Sequence, residues 1–456
     1  MQVSQFFDSK LLNKYNTSGP RYTSYPTALE FDDNFTHDNF VQAVKNSVNR
    51  DLSLYVHIPF CHTLCYYCGC NKVVTRHRDK ADTYLAYLAK EIALQAPAFK
   101  DYQVKQLHWG GGTPSFLTHK QITTLVELLK AQFNFAEQLE MSIEIDPREI
   151  EMDLAEHLFS LGFNRLSLGV QDLDEKVQQA INRVQSTEFI GDFIAHAKGV
   201  GFQSINIDLI YGLPHQNSDT FAYTLAKAQQ WQVDRISLFS YAHLPARFAG
   251  QRKLRDEWLP STSEKFALMK QAIETLSAYG YDFIGMDHFA KPDDELAIAQ
   301  KNGTLHRNFQ GYTTNGDCDL LGLGVSSISK IGEGFSQNVK ELKAYYQAID
   351  DHQHAIDKGI SLSKDDVIRG EVIHELMCNL QVNKTAISTK YQIDFDHYFA
   401  DDIASLSTFI DDGLIENNAN DIIVAQKARL LIRIICMSFD AYMKQHLNQQ
   451  RFSRVI

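Results

Sequence analysis

A repeated alternation of strand and helix patterns through the first two-thirds of the chain most limits the folds open to it. Short apolar runs, which lack the strict polar alternation of half-exposed strands, alternate with segments of helical periodicity. Strands that are joined through helices pair in parallel with right-handed crossovers, so the pattern predicts a parallel α/β fold. The six predicted strands are Leu54–Ile58, Gln106–Trp109, Met141–Ile145, Arg165–Val170, Ser204–Ile210 and Arg235–Phe239.

Glycines at three predicted helix ends show that the unit repeats. Gly162, Gly201 and Gly280 each precede an aromatic residue; the first two are 39 residues apart and the third follows 79 residues later, about two repeats. Glycine readily takes the left-handed conformation that caps a helix. Because candidate site residues follow nearly every strand, we predict a partial TIM-like (β/α)6 barrel and not an open sheet, in which they would gather at one switch point.

The pattern changes after about Asp293, and the later chain is mainly helical with one hairpin-like piece at 413–424. Helices followed by a small hairpin are typical of a winged-helix-like module. The predicted parts are an N-terminal arm over the barrel mouth (1–49), the barrel (50–290), a barrel extension and connection (291–365) and a mainly helical C-terminal domain (366–456).

The charge and the apolar segments limit the partners. The formal net charge of -12 argues against a broad nucleic-acid surface, because phosphate binding needs concentrated Lys and Arg. No apolar run reaches the roughly 18 residues that span a bilayer, and the N-terminus does not resemble a signal peptide. We expect a cytoplasmic protein, monomeric, without a nucleic-acid partner or a membrane span.

Four of the seven cysteines fall within ten residues, which indicates a reduced protein with one metal site. Cys61, Cys65 and Cys68 follow the first strand at a spacing that can hold three irons of a cubane, leaving the fourth iron open. Cys70 is only two residues after Cys68, which is awkward for two corners of one cube.

The same cysteine segment is compatible with two other kinds of metal site. A structural zinc ion could bind Cys65, Cys68 and Cys70 with a histidine such as His57 or His62. An electron-transfer cluster could take Cys70 as its fourth ligand. Structural zinc usually takes two separated ligand pairs, so the cubane with an open iron is favoured.

Further along, the glycine run Gly110–Gly112 with Thr113 follows the second strand, and Glu144 ends the third. Missing Cβ atoms let a backbone approach a ligand closely, and three glycines exceed the needs of a plain turn. The Glu144 carboxylate can accept ligand hydrogen bonds, although it could also cap the next helix.

The cysteine spacing resembles that of the radical S-adenosylmethionine superfamily. Taken with other segments, it resembles one family within it, the oxygen-independent coproporphyrinogen III oxidases, also called coproporphyrinogen dehydrogenases. The segments that carry this resemblance are 15–26, 55–72, 108–114, 144–149, 169–172, 206–214, 286–290 and 452–456.

The resemblance implies one [4Fe–4S] cluster on Cys61, Cys65 and Cys68, two S-adenosylmethionine molecules, and no catalytic side chain beyond these cofactors. For the first molecule it implies contacts from Tyr55, Tyr67, Gly111, Glu144 and Ile328. For the second it implies contacts from Gly112, Thr113, Gln171, Arg183, Asp208 and Ala242. Arg183 alone could instead be a surface ion-pair partner.

The family reaction, by the same resemblance, converts two propionates of coproporphyrinogen III to vinyl groups through a 5′-deoxyadenosyl radical and gives protoporphyrinogen IX. It needs a low-potential electron donor such as flavodoxin or ferredoxin. Because the substrate carries four propionates, we expect cations in its pocket. The candidates are Arg21, Lys72, Arg148 and Arg307.

Two other functions are compatible with this scaffold. A haem chaperone is the main alternative, but those relatives lack a cysteine in the position of Cys70 and usually the long aromatic N-terminal arm. A radical methyltransferase is the third. The chain has both Cys70 and the arm, which favours the oxidase.

Overall fold

The computed structural model describes residues 9–351 and 354–443, and the chain forms two compact units. The larger unit comprises Phe31–Gln271 and Asp317–Ser361. The smaller comprises the described parts of 1–30, 272–316 and 362–456. The segment 452–456, which contributed to the family resemblance, lies outside the described residues, as does the start of the predicted arm.

A single sheet runs through the larger unit. Its six central strands are β1 (Asp51–Ile58), β2 (Gln103–Gly111), β3 (Phe135–Ile145), β4 (Arg165–Gln171), β5 (Ser204–Tyr211) and β6 (Arg235–Ser240), which pair in parallel in chain order. On the other side of β1 follow β7 (Asp319–Leu323), β8 (Ile328–Ile331), β9 (Gly334–Asn338) and β10 (Ile356–Ser361). β7 is parallel to β1, and the last three strands are antiparallel. The parallel order of β1 to β6 confirms the predicted (β/α)6 arrangement.

One helix precedes the first strand of the larger unit, and the other helices follow strands. They are α1 (His37–Asn46), α2 (Asp79–Gln95), α3 (His119–Gln132), α4 (Leu154–Leu161), α5 (Glu175–Ala180), α6 (Thr187–Val200), α7 (Ser218–Trp231) and α8 (Leu342–Asp350), and the helix Thr262–Ala278 follows β6. The predicted cap of α3 is confirmed, because the Thr118 hydroxyl accepts from Gln121 N. Gly162 and Gly201 end α4 and α6 with φ values of 105° and 119°, the left-handed conformation that the sequence indicated.

The two faces of the parallel strands differ in chemistry. On β1, Leu52 and Leu54 are fully buried, whereas Ser53 on the opposite face donates a hydrogen bond to Gln106 of β2. Asn206 of β5 likewise contacts Ser167 of β4 on that polar face. Because side chains alternate along a strand, one face packs apolar and the other carries a polar network. The strands therefore do alternate, although the sequence patterns predict strands that are apolar on both faces.

The smaller unit contains a three-stranded antiparallel sheet, Gln381–Asn383, Asp421–Val424 and Ile415–Asn417. The predicted hairpin is confirmed by the pairing of Ile415 with Val424; the strand 381–383 was not predicted. The helices of this unit are Ser9–Tyr15, Glu295–Asn302, Lys364–Asn379, Lys384–Tyr391, Phe395–Tyr398, Ala400–Ser405, Ser407–Asp411 and Ile432–Met437, and two short hairpins pair Asp282–Gly285 with His288–Ala290 and His306–Asn308 with Gly311–Thr313.

The described part of the N-terminal segment packs within the smaller unit. Tyr22 Oη donates to Asp440 at 2.9 Å, and the buried Arg433 donates to the carbonyl of Pro20 at 2.8 Å. The four predicted domain ranges, and the prediction that the arm covers the barrel mouth, remain predictions. Within the described residues, no helix is both long and apolar enough to cross a membrane.

A buried carboxylate holds the turn that follows β7. Glu91 of α2 accepts hydrogen bonds from Gly324 N and Tyr345 Oη, both at 2.7 Å, and from Asn338 Nδ2 at 2.8 Å. Burial outweighs these bonds and raises the pKa of Glu91 to about 6. The turn is therefore fixed to three other elements of the same unit.

Tyr84, two helical turns before Glu91, completes this attachment. Its hydroxyl donates to the His57 carbonyl at 2.7 Å and accepts from Val325 N at 3.1 Å. Tyr84 is fully buried, so neither backbone group can find water if the hydroxyl is removed. The Tyr84 hydroxyl thus links the end of β1 to the turn after β7 by hydrogen bonds.

We predict that Tyr84→Phe lowers the free energy of unfolding by about 1–3 kcal/mol, because it leaves two buried backbone groups unpaired. Tyr87→Phe on the same helix is the matched control: its hydroxyl contacts Asp350 in an exposed position, so the loss should stay below about 0.5 kcal/mol. Chemical denaturation gives the free energies, and hydrogen exchange at Val325 should accelerate only in Tyr84→Phe. Equal effects of the two substitutions would contradict this account.

Candidate functional site

A cavity at the C-terminal ends of the parallel strands brings most of the predicted residues together. The three predicted metal ligands, Cys61, Cys65 and Cys68, line it. So do eight of the eleven predicted binding residues: Tyr67, Gly111, Gly112, Thr113, Glu144, Gln171, Arg183 and Asp208. The C-terminal ends of barrel strands are where sites of this architecture lie.

The cysteine loop is anchored to the barrel at several points. It begins at the short strand Phe60–Cys61, which pairs in parallel with Val73–Val74. Farther on, Asn182 Nδ2 donates to the Leu64 carbonyl at 2.8 Å, and Tyr66 N donates to the Ile181 carbonyl at 3.0 Å. The loop that carries Cys65 is therefore held by the segment after β4.

Two arginines point at the sulfur of Cys65. Arg148 Nη2 lies 3.3 Å from Cys65 Sγ, and Arg183 Nη1 lies 3.4 Å from it. Both guanidinium groups also bind Asp146, at 2.6 and 3.1 Å. Burial alone would raise the pKa of Asp146, but Arg183 and Arg148 together lower it to about 2. The Asp146 carboxylate therefore stays ionised. Because two arginines share this one carboxylate, one positive charge remains to stabilise negative charge on the Cys65 sulfur.

The other two thiols have different surroundings. Cys61 Sγ lies 3.4 Å from the Thr113 hydroxyl, and burial raises the pKa of this thiol to about 11. Contact with Cys70, aided by the charge of Lys72, lowers the pKa of Cys68 to about 6 despite burial. A buried thiolate such as that of Cys61 needs a nearby cation, which a bound metal supplies.

The cysteines fit a cluster better than a single ion. Within the described ranges, no three His, Cys, Asp or Glu side chains converge closely enough to hold one metal ion. A zinc site requires such convergence, whereas a cubane takes each cysteine on a different iron. Hydrogen-bond donors at the ligand sulfur, here two arginines, are typical of cluster sites. The donor set therefore fits a [4Fe–4S] cluster.

Cys70 is exposed, and its backbone N lies 3.5 Å from Cys68 Sγ. The Lys72 ammonium donates to the carbonyls of Cys68 and Cys70 at 3.2 and 3.4 Å. The backbone between these cysteines thus bends back on the sulfur of Cys68. Cys70 therefore contacts Cys68 through both its side chain and its amide, and its exclusion from the ligand set remains a prediction.

The three glycines at the end of β2 are explained by contacts within the protein. A Cβ on Gly110 would lie 2.9 Å from the Glu144 carboxylate, and one on Gly112 would lie 2.6 Å from the backbone of Pro59. Gly111 has a φ of 116°, and its Cβ would lie 2.5 Å from the His57 ring. Each glycine is therefore required by close packing at the cavity wall, a reason that the sequence argument for ligand contact did not include.

Glu144 is held on two sides at the end of β3. Gly111 N donates to its Oε2 at 3.2 Å, and His108 Nε2 lies 3.5 Å from Oε1. The other ring nitrogen of His108 lies 2.6 Å from the Ser142 hydroxyl. Burial opposes ionisation, but these neighbours prevail and lower the pKa of Glu144. An oriented, ionised acceptor thus faces the cavity.

A second group of side chains lies at the end of β4, within β5 and in the segment that follows β4. Gln171 adopts the left-handed conformation with a φ of 67°, and Arg183 donates to the carbonyl of Gly169. Asp208 accepts from Asn206 Nδ2 at 2.9 Å. Burial and repulsion from Glu144 raise the pKa of Asp208 to about 7. The two carboxylates therefore interact across one cavity.

Three predicted binding residues do not line this cavity: Tyr55, Ala242 and Ile328. Tyr55 lies beside it, with its ring stacked on His108 and its hydroxyl 3.1 Å from His57 Nδ1. Ile328 is close to Tyr55 through the sheet, because Gly322 pairs with Tyr55 and its Cβ would lie 2.6 Å from the Ile328 carbonyl. Ala242 is exposed after β6, where its carbonyl accepts from Gln251.

The four cations suggested for the propionates differ in how they are engaged. Arg148 binds Asp146, Arg21 pairs with Asp287, and Lys72 donates to backbone carbonyls. Arg307 stacks over Tyr312 at 4.7 Å, while its Nε and Nη1 are buried without a hydrogen-bond partner in the described chain. Arg307 thus has donors available.

Sequence reasoning gave no role to Asp146 and His108, although both lie inside segments that it singled out. Asp146 binds the two arginines, and His108 orients Glu144. Asp146 is two residues after Glu144, and His108 is two residues before Gly110. Because alternate residues share a face of a strand, this spacing could have indicated that both side chains face the site. Nothing local indicated that Arg148 and Arg183 would converge on one cysteine.

Comparisons with known proteins agree with this geometry. The model of the radical SAM superfamily matches residues 55–228, and that of the HemN C-terminal domain matches residues 362–431. A solved structure of coproporphyrinogen III oxidase (HemN) from Escherichia coli, described as a radical SAM enzyme, superposes with a TM-score of 0.92. It is 52% identical and covers 96% of this chain and 100% of that one.

Two curated relatives are each named oxygen-independent coproporphyrinogen III oxidase. The protein of Salmonella typhimurium is 55% identical over 450 residues, covering 99% of this chain and 98% of its own length. That of Escherichia coli K12 is 54% identical over 457 residues and covers 100% of both chains. This chain therefore belongs to the oxygen-independent coproporphyrinogen III oxidase family of radical S-adenosylmethionine enzymes.

Proposed function

We propose that this chain oxidatively decarboxylates two propionates of coproporphyrinogen III to vinyl groups and so makes protoporphyrinogen IX in haem biosynthesis. The convergence of Arg148 and Arg183 on Cys65, inside a barrel cavity that holds the other two cysteines, is the observation that carries the proposal. The family supplies the substrate. Each conversion releases one carbon dioxide, gives one hydrogen atom to the radical that the cofactors supply, and passes one electron to an electron acceptor.

The cofactors are a [4Fe–4S] cluster and S-adenosylmethionine, which together supply the radical that removes hydrogen from the substrate. Cys61, Cys65 and Cys68 hold the cluster, and the two guanidinium groups beside Cys65 offset its negative charge. The protein's own work is placement of the ligands and exclusion of water.

We propose that Glu144 accepts hydrogen bonds from the first S-adenosylmethionine, at its amino group or its ribose; the two neighbours that orient its carboxylate support this role. We propose the same role for Asp208 toward a second molecule, supported by its position in the wall of the same cavity. Arg183 contacts Cys65, Asp146 and Gly169, but its buried Nε has no hydrogen-bond partner among the described residues, so we propose that it also donates to the second molecule.

Arg307 is the best candidate for a substrate propionate. Its buried Nε and Nη1 have no hydrogen-bond partner among the described residues. An arginine readily forms two parallel hydrogen bonds to a carboxylate. Arg21 and Arg148 already bind carboxylates of the protein.

The haem chaperone has no support from the relatives, which are named as oxidases over their full length.

The electron donor is proposed to be a flavodoxin or ferredoxin, since the reaction needs low-potential electrons. A cytoplasmic location rests on the clustering of reduced cysteines, and the monomeric state is a prediction from sequence.

We predict that Cys61→Ala, Cys65→Ala and Cys68→Ala each abolish the cluster, because each removes the ligand of one iron. Iron and sulfide analysis after anaerobic reconstitution should give about four irons per native chain and none that is stably bound in the variants. Cys70→Ser is the matched control and should keep the iron. Loss of iron in Cys70→Ser, or stoichiometric zinc in the native protein, would contradict the assignment.

Asp208→Asn should preserve the cluster and binding at the open iron but impair formation of the divinyl product. The substitution keeps the shape and removes the charged acceptor, so equilibrium binding should show two S-adenosylmethionine sites in the native chain and one in the variant. Asn206→Ala, which removes only a neighbour of Asp208, should retain both sites with weaker affinity. One site in the native chain with unchanged turnover in Asp208→Asn would rule out the second molecule.

Arg307→Gln should raise the KM for coproporphyrinogen III about 10-fold or more, because a charged hydrogen bond to a carboxylate contributes roughly 1.5–3 kcal/mol. Arg307→Lys retains the charge but not the fork and should restore part of the loss. Arg255→Gln, at an exposed arginine, is the control. An unchanged KM in Arg307→Gln, measured with intact cluster, would remove Arg307 from the substrate site.

A further inference from the structure

A basic segment lies beside the cysteine loop of a chain that is otherwise acidic. Between Leu244 and Trp258, four basic residues are exposed. Arg255 is paired with Glu257, and the other three are Arg247, Arg252 and Lys253. The formal net charge of the whole chain is -12, so the positive charge of this segment is opposite in sign to that of the chain as a whole. Leu244 adds an apolar side chain that is 42% exposed.

This segment packs directly on the loop that carries Cys65 and Cys68. The Phe248 ring covers Gly69, where a Cβ would lie 2.9 Å from it, and Gln251 Nε2 donates to the Tyr67 carbonyl at 2.9 Å. Lys253 Nζ lies 3.4 Å from the Tyr66 hydroxyl. The basic side chains therefore stand on a segment in van der Waals contact with the metal-binding loop.

Contacts within the segment and with the cysteine loop hold Arg247, Arg252 and Lys253 in place without neutralising them. The Arg247 guanidinium lies 5.4 Å from the centre of the Phe248 ring, and Arg252 Nε donates to the Pro245 carbonyl at 3.0 Å. Lys253 lies over the Tyr66 ring at 4.6 Å. Among the residues that the structure describes, none of the three forms an ion pair with a carboxylate.

The two acidic residues of the segment are engaged with other groups. Asp256 lies 3.1 Å from His243 Nε2, and Glu257 lies 3.7 Å from Arg255 Nη1. The field of Arg247, Arg252 and Lys253 is therefore only partly offset. An uncompensated patch of this kind speeds the association of an oppositely charged partner.

We propose that this basic segment is the docking surface for an acidic protein that carries one electron at a time. The inference rests on the proposed function, in which the cluster must be reduced. The reduced carrier gives one electron to the oxidised cluster; no bond between the proteins forms or breaks, and no proton moves. Electron-transfer complexes have small, transient interfaces that depend on charge complementarity, which three cations around exposed Leu244 can provide.

The test uses the reconstituted holoenzyme and reduced flavodoxin, an acidic carrier, with the second-order rate of cluster reduction followed by absorbance. The double variant Arg247→Glu and Arg252→Glu should lower this rate about 10-fold or more at low ionic strength, and the difference should shrink toward unity at about 0.5 M salt. The milder variant Arg247→Gln and Arg252→Gln should lower the rate less.

The matched control is the double variant Lys45→Glu and Lys100→Glu, which makes the same change in net charge. Both lysines are exposed and precede the starts of β1 and β2, at the end of the strands opposite the site. This control should reduce at the native rate. An equal loss in control and test variants, or no loss in the test variant, would overturn the docking surface.

Reduction by dithionite separates this inference from the proposed function. A small chemical reductant needs no docking surface, so cluster reduction and product formation with dithionite should be the same in native and variant protein. If they fall together with the flavodoxin rate, the segment acts on the cluster itself and the docking proposal is wrong. Absence of product from the native protein with dithionite would instead refute the proposed function, while the flavodoxin rates still decide the surface.

Discussion

The two ion pairs of Arg148 and Arg183 with Asp146, set against the sulfur of Cys65, are the interaction on which the site depends. A negatively charged cluster in a buried cavity is costly unless cations stand nearby. One carboxylate and two arginines together carry one net positive charge. The carboxylate also holds both guanidinium groups so that they point at the Cys65 sulfur. The three residues come from the end of β3 and from the segment after β4, so only the folded barrel can assemble them.

The same barrel separates its polar from its apolar side chains. Alternation along the strands places leucines such as Leu52 and Leu54 on one face and a hydrogen-bonded network, which includes Ser53, on the other. At the C-terminal ends this polar face becomes the cavity wall, where Glu144 and Asp208 stand. The polar face therefore matches a site that binds charged ligands, and the apolar face contributes most of the hydrophobic stabilisation.

Local features were predictable from sequence and long-range ones were not. The six strands, the cap at Thr118 and the left-handed Gly162 depend on neighbours in sequence, and all were confirmed. The cysteine spacing predicted a ligand loop, and its three cysteines line one cavity. The role of Asp146 depends on Arg183, 37 residues away, and no pattern within a strand or helix records that distance. The polar alternation of the strands can be read in the sequence, as in residues 141–145 (MSIEI) and 204–209 (SINIDL), so the prediction that both faces are apolar was wrong.

The glycine run shows how the packing of the protein and its binding chemistry are linked. Gly110 leaves room for the Glu144 carboxylate, Gly111 for the His57 ring and Gly112 for the backbone of Pro59. These neighbours include an oriented acceptor and the chain just before Cys61, so a side chain at any of the three positions would displace part of the site. The absence of three Cβ atoms therefore lets the first three strands pack closely enough to bring the cysteine loop and Glu144 to one cavity, in addition to the ligand contacts predicted for Gly111 and Gly112.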